Sequence, residues 1–189
     1  MGKLAHSNLK LMKTESKLLW IQKGYELIAK EGIAGLKIEP LAKEIGISKS
    51  SFYHLFIDLE NFLEQLLDYH LEQSKILSEK ELNCKRIDPD LIEVLVFHKL
   101  DLLFNRQLRI HRDKPKFNDA LNKSNSIVGE SFVIIWMKDL NLRLSPLQMQ
   151  SIFELALENF FLQITFENLN IEWLSKYFEN LKRITQNLV

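Results

Sequence analysis

Residues 24–66 read GYELIAKEGIAGLKIEPLAKEIGISKSSFYHLFIDLENFLEQL, and the two glycines at 32 and 46 set how the chain is cut. Gly32 closes a helix predicted from Ser16 to Glu31, in which Trp20, Leu27 and Ile28 turn inward and Gly24 permits a close contact. A short second helix is expected from Ile38 to Ile45. Pro40 fits there because it lies in the first turn, where backbone amides have no intrahelical partner. Gly46 can take the left-handed conformation closed to most residues, and Ser48 is placed to cap a third helix from Lys49 to Phe56. The helical period gathers Phe52, Leu55 and Phe56 on one side of it and leaves Lys49, Ser50, Tyr53 and His54 elsewhere. A fourth helix begins at Asp58, with Glu60 in its first turn, and runs toward Leu82. Short helices joined by a glycine-containing turn form a helix-turn-helix pattern, whose second helix enters the DNA major groove.

Outward from this stretch the pattern stays helical, so the chain reads as all-α. One long helix is expected from Asp88 to Arg109, and another after Pro115 that packs Phe132, Ile135 and Trp136. Ser145-Pro146, a cap followed by proline at the first helical position, opens a helix whose Phe153, Ala156, Leu157, Phe160, Phe161 and Ile164 make a stripe wider than one buried face needs. The last helix, Ile171 to Asn187, repeats Ile171, Leu174, Phe178, Leu181 and Leu188 on one side, with Trp173, Tyr177 and Ile184 on a neighbouring side. Two such doubly apolar helices can pair with their symmetry mates as a four-helix bundle, which predicts a homodimer with Phe153, Leu157, Phe161, Trp173, Tyr177 and Ile184 as interface candidates.

Composition narrows the function classes. The 189 residues are 46% hydrophobic, enough for a real core, and carry only 6 Gly and 4 Pro. No apolar run approaches a bilayer span and no apolar block marks a secretion signal, so a cytoplasmic location is expected. A single cysteine, Cys84, cannot form an intramolecular disulfide, and no Cys and His spacing calls for a metal or other cofactor. The net charge is zero, yet residues 1–57 hold 9 Lys against 5 Glu, leaving +4 there and −4 in the rest. That split suits a nucleic-acid partner at the N-terminal end and also an ordinary solvated surface. Neither a phosphate-cradling glycine loop, a nucleophile elbow nor a metal-binding His-Glu-x-x-His pair occurs, so no enzyme is expected.

Through the helix ending at Gly32, LAKEIGIS at 41–48 and SKSSFYHLF at 48–56, in that order and spacing, the chain resembles the TetR family of bacterial transcriptional regulators. The resemblance covers residues 24–66. It implies a DNA-binding domain at 15–57 and a helical ligand-binding and dimerisation domain at 58–189, while residues 1–14 read by themselves as a flexible basic arm. It also implies DNA contacts from Lys37, Lys49, Ser50, Ser51, Tyr53 and His54. Two positions depart from the family pattern: Lys37 stands where a capping Thr is frequent, and Leu59 where a Lys is frequent. Leu59 is therefore not carried as a contact.

In the C-terminal part His98, Phe117, Phe132, Trp136, Phe160 and Phe161 are candidates to line a ligand cavity, and each also fits as a core residue. Arg106, Arg109, His111 and Arg112 fit a solvated face better than an anchor for an acidic ligand. The reading is a dimeric, ligand-responsive repressor on a palindromic operator, released by a small molecule. Its rival on the same fold is a protein-binding coactivator or adaptor that does not bind DNA, motivated by Leu59 and the weak net basicity.

Overall fold

A computed structural model describes residues 2–140 and 145–186 of the protein. Helix α1 runs Gly2–Glu31 and takes in the residues read from sequence as an arm. A 3-10 turn, Ile33–Gly35, leads to α2, Ile38–Ile45, and α3, Lys49–Leu55. Gly46 is left-handed (φ 69°, ψ 22°), and its amide closes α2 on the carbonyls of Ala42 and Lys43. Ser48 then caps α3, its side chain accepting from the Ser51 amide. Helix α3 seats on an aromatic cluster of Trp20, Phe52, Phe56 and Phe62, all buried. Trp20 and Phe62 each meet the Phe52 ring edge-on at 5.2 Å, and Phe56 lies 4.6 Å from Phe62. Each such side chain contributes on the order of 1.5–3 kcal/mol by burial.

Phe62 does not belong to the three short helices. It lies on α4, Leu59–Leu82, which is capped by Asp58 accepting from the Asn61 amide at 2.7 Å. The N-terminal unit therefore completes its core with the first turns of a helix that continues into the rest of the molecule. Gly24 sets how closely α1 and α4 approach: a Cβ there would meet Phe62 Cζ at 2.6 Å and Cε1 at 2.9 Å. The close contact expected of Gly24 is thus present.

Beyond α4 the single helix predicted over Asp88 to Arg109 is broken. A wide turn, Ile87–Leu91, precedes α5, Ile92–Phe97, and α6, Lys99–Ile110, and the two helices meet at His98 (φ −90°, ψ 25°). The apolar period runs through the break because Leu95, Leu102 and Phe104 on either side enter the same core. The bend instead answers a polar demand, since it seats His98 Nδ1 2.6 Å from Oδ2 of the buried Asp101.

Helix α7, Pro115–Leu140, packs along α4, while α6 packs along α1. Lys116 near the start of α7 reaches back to Glu60 and Glu64 of α4, at 2.6 Å each. Helix α8, Pro146–Gln163, starts with the reciprocal pair in which Ser145 accepts from the Gln148 amide and Gln148 accepts from the Ser145 amide. Helix α9, Ile171–Gln186, is tied to α8 by Tyr177 Oη donating to the Ala156 carbonyl at 2.8 Å. The expected Leu188 lies outside the described residues.

Candidate DNA-binding face and internal cavity

The outer face of α3 carries what its inner face cannot bury. Lys49, Ser50, Tyr53 and His54 are exposed, Ser51 is half-buried, and Phe52 beneath them is buried. The Ser50 hydroxyl lies 2.9 Å from that of Ser48, so the first turn is tied down before any partner arrives. Lys37 sits at the N-cap of α2 with no side-chain capping bond, as its replacement of a hydroxyl residue implies. Lys37, Lys49 and Tyr53 line one shallow cleft of about 470 Å³ between α2 and α3, together with Glu39. Lys49 Nζ is 3.7 Å from Glu39 Oε2 in a solvent-exposed pair, which holds the ammonium on this face at little energetic gain. Leu59 opens α4 beside this unit, partly exposed.

Behind this face, α1 joins a buried polar chain that sequence reading missed. Tyr25 Oη donates to Asp101 Oδ1 at 2.8 Å and lies 2.8 Å from His70 Nδ1, while Asp101 Oδ2 takes His98 Nδ1. Four side chains from α1, α4, α6 and the α5–α6 bend are thereby locked together, with the Tyr25 ring stacked on Phe104 at 4.2 Å. Burial drives the Tyr25 phenol well above its ordinary range, with the Asp101 carboxylate adding to the effect. Burial also pushes the His70 imidazole down to about 4, although Asp101 pulls the other way.

His70 and Asp101 have a second role: both line an internal cavity of about 630 Å³ between α4, α6, α7, α8 and α9. Helix α4 supplies His70, Ser74, Leu77 and Glu81 to its wall, at the four- and three-residue steps that keep them on one helical face. The opposite side is aromatic and aliphatic, with Phe132, Phe153, Leu157, Phe160, Phe161 and Phe178. No Lys or Arg is among the described lining residues.

Of the residues expected around a cavity, Phe132, Phe160 and Phe161 line it. Phe117, Trp136 and His98 do not. Phe117 is buried beside His111, Trp136 is buried against Phe153, and His98 is spent on Asp101. Four of the residues expected at a dimer interface, Phe153, Leu157, Phe161 and Tyr177, line the same cavity within the subunit. Trp173 is half-buried and stacked on Tyr177 at 5.2 Å, whereas Ile184 is exposed. The side of α8 facing away from the core instead carries Leu147, Leu155 and Leu162, each more than 70% exposed. Among the cations, Arg109 departs from the solvated face expected of it: it is paired with Glu158, bonded to Asn125 and laid over the Phe161 ring at 4.4 Å.

The helix-turn-helix unit thus has its core closed by one long helix, which then lines a cavity in a second helical unit. Residues 21–66 match the family model of bacterial regulatory proteins, tetR family. Proteins of this family are DNA-binding transcription regulators rather than enzymes. Three solved structures share the fold. A TetR-family transcriptional regulator from Mesorhizobium loti is 17% identical, over 93% of this chain and 97% of that one, at a TM-score of 0.59. One from Rhodococcus sp. is 20% identical, over 86% and 96%, at 0.51. The multidrug binding protein EbrR, complexed with malachite green, is 14% identical, over 92% and 97%, at 0.52. No curated protein matches the chain. Among the described residues no helix is long and apolar enough to cross a membrane.

Proposed function

We propose that this regulator is a homodimeric repressor that binds a palindromic DNA operator through α2 and α3 and leaves it when a small molecule enters the internal cavity. The observation that carries this reading is the sharing of His70 and Asp101 between the cavity wall and the polar chain that holds Tyr25 of α1. A ligand that moves either group alters the seat of α1 and, through Phe62 on α4, the core under α3. Coupling requires the ligand to bind the DNA-released state more tightly than the DNA-bound one.

Lys37, Lys49, Ser50, Ser51, Tyr53 and His54 are the proposed DNA contacts. The lysines and Tyr53 serve as phosphate donors, and the small serines allow close approach to the groove. The exposed leucines of α8 are the proposed seat of a second copy, and Ile184 on α9 stays a candidate beside them. In such a dimer the two α3 helices lie about 34–36 Å apart, one turn of DNA. Selection of genomic DNA fragments by the purified protein at fixed salt, with Lys49→Ala alongside, tests the proposal. Enrichment of one palindrome that Lys49→Ala loses is the expected result, and a folded dimer that enriches no sequence favours a protein-binding adaptor instead.

A further inference from the structure

The polar side chains of the cavity wall are spent on the protein itself. Ser74 Oγ donates to the His70 carbonyl at 2.8 Å. Asn105 Nδ2 donates to Ser124 Oγ at 2.9 Å, and that hydroxyl donates to the Leu121 carbonyl at 3.0 Å. Arg109 donates to the side-chain oxygens of Asn105 and Asn125, Tyr177 donates to the Ala156 carbonyl, and the two oxygens of Asp101 are taken by Tyr25 and His98. His70 Nε2 and Glu81 Oε1 are buried atoms with almost no surface to offer a ligand, and Glu81 is engaged within the protein. Ser126, Gln150 and Glu154, which also line the cavity, are exposed and mark its end open to water.

Such a wall has little to give a charge. With no Lys or Arg among the described lining residues an anion finds no counter-ion, and a cation finds the Asp101 carboxylate already occupied. A charge taken out of water without a partner is costly, whereas apolar surface is driven in. The surface on offer is that of Phe132, Phe153, Leu157, Phe160, Phe161 and Phe178. Its volume of about 630 Å³ falls within the range of roughly 300–1,000 Å³ of small-molecule sites.

Gly129 lies in the interior of α7, where glycine is disfavoured against alanine. Neither ordinary reason for a glycine applies to it. The positive φ values among the described glycines are those of Gly32 and Gly46, and a Cβ added at Gly129 would meet no described atom within 4 Å. Yet Gly129 lines the cavity, and the helical period places it on the face of Asn125, Val128 and Phe132, which line it too. We infer that the cavity takes an uncharged, largely apolar molecule and that Gly129 leaves the room for it. The inference rests on the reading of this cavity as the effector site.

Calorimetry on the full chain with diphenylmethanol, diphenylmethylammonium and diphenylacetate tests it, because in each probe the polar group sits between two rings and cannot reach water while both are buried. The alcohol is expected to bind at least about tenfold more tightly than either ion, with a negative heat-capacity change. Gly129→Leu is expected to weaken that binding at least about tenfold while keeping or raising the melting temperature, since leucine favours the helix. Gly129→Ala adds one methyl group and should cause a smaller loss in the same direction, which keeps the test if leucine disturbs the fold. An ion bound as tightly as the alcohol, no binding of the alcohol, or a folded Gly129→Leu (failing that, Gly129→Ala) that binds it like the wild type overturns the inference. Release of the selected DNA by an ion alone would keep the effector reading and sink the uncharged ligand. Alcohol binding with the expected preference, but unchanged DNA affinity, would uphold the ligand class and sink the effector reading.

Discussion

Tyr25 on α1 and His70 on α4 stand 45 residues apart in sequence and 2.8 Å apart in the fold, and the same hydroxyl reaches Asp101 on α6. This is the point where the first helix of the helix-turn-helix unit and the helix lining the cavity share a hydrogen bond. Tyr25→Phe keeps the ring on Phe104 but leaves His70 Nδ1 and Asp101 Oδ1 without their partner. A loss of about 1–3 kcal/mol is expected in urea unfolding. In the same variant an effector that releases the wild type from DNA should lose much of its effect. Full retention of that effect would show that the hydroxyl transmits nothing.

The depressed His70 imidazole makes a pH prediction with a definite sign. The unfolded chain takes up the proton as pH falls below 6.5, while the folded protein resists until about 4. Over that window the unfolded state binds more protons, so stability rises with pH and is lost on acidification, by roughly 3 kcal/mol from this group. Tyr25 and Asp101 are the ionisable groups facing it, with Phe104 on the ring. Because other carboxylates titrate near the lower end, the readout is the difference between wild type and His70→Phe in unfolding free energy at pH 7 and pH 5. A wild-type slope no steeper than the variant's would contradict the assignment of a neutral buried ring.

Two glycines predict unlike penalties for the same change. At Gly24 a methyl group meets the Phe62 ring, which is itself buried against Phe52 and Phe56 and cannot swing away. Gly24→Ala should therefore cost about 1–3 kcal/mol through overpacking and shift α1 against α4. Gly46 has open space around its would-be Cβ, so Gly46→Ala meets only the left-handed backbone, at about 1–2 kcal/mol. Gly46→Asn should recover part of that loss because Asn tolerates the conformation, while Gly24→Asn should be worse than Gly24→Ala. Thermal unfolding of the four variants checks the ordering.

If α3 carries the DNA face as proposed, Glu39 competes with phosphate for Lys49, whose Nζ lies 3.7 Å from its Oε2. Lys49→Ala should weaken operator binding and flatten the dependence of log affinity on log salt by about one charge per site. Glu39→Gln should act oppositely, because it frees the ammonium 3.7 Å away and removes a negative charge from the cleft. Binding measured across a salt series for both variants decides it. Tighter binding after Lys49→Ala would take this residue off the interface.

The helix-turn-helix unit was legible because its signals are local. A glycine that must be left-handed, a serine that must cap and aromatics at helical spacing all act within a few residues, and Gly46, Ser48 and Phe52 take the places expected of them. The polar chain was not legible, since Tyr25, His70 and Asp101 meet only after three helices pack. Its one available sign was a polar residue on a core stripe: His70 and Ser74 continue the face of Leu66 and Leu77, where an apolar residue would be ordinary. Periodicity says which residues share a face but not whether that face meets a neighbouring helix, a cavity or another molecule, and so the sequence could not tell that Phe153 and Tyr177, expected at an interface, also line the cavity.

The last prediction concerns the apolar face of α8 that the cavity does not use. Leu147, Leu155 and Leu162 are spaced by eight and seven residues, which keeps them on one stripe of α8, and all three are more than 70% exposed. If this stripe is the seat of a second copy, a C2 interface brings it against its own equivalent, and one charged residue appears twice, near itself. Leu155→Glu combined with Leu162→Glu should therefore yield a folded monomer by light scattering, with thermal stability kept because neither side chain enters the core. Operator binding should weaken well beyond tenfold, as a lone unit can hold only one half-site. Phe153→Ala, by contrast, enlarges the cavity and should lower stability by about 3–5 kcal/mol if the site behaves as core, less to the extent that the cavity already relieves it, while leaving the dimer intact. A dimer that survives both glutamates would move the interface off this stripe and onto another face of the regulatory unit.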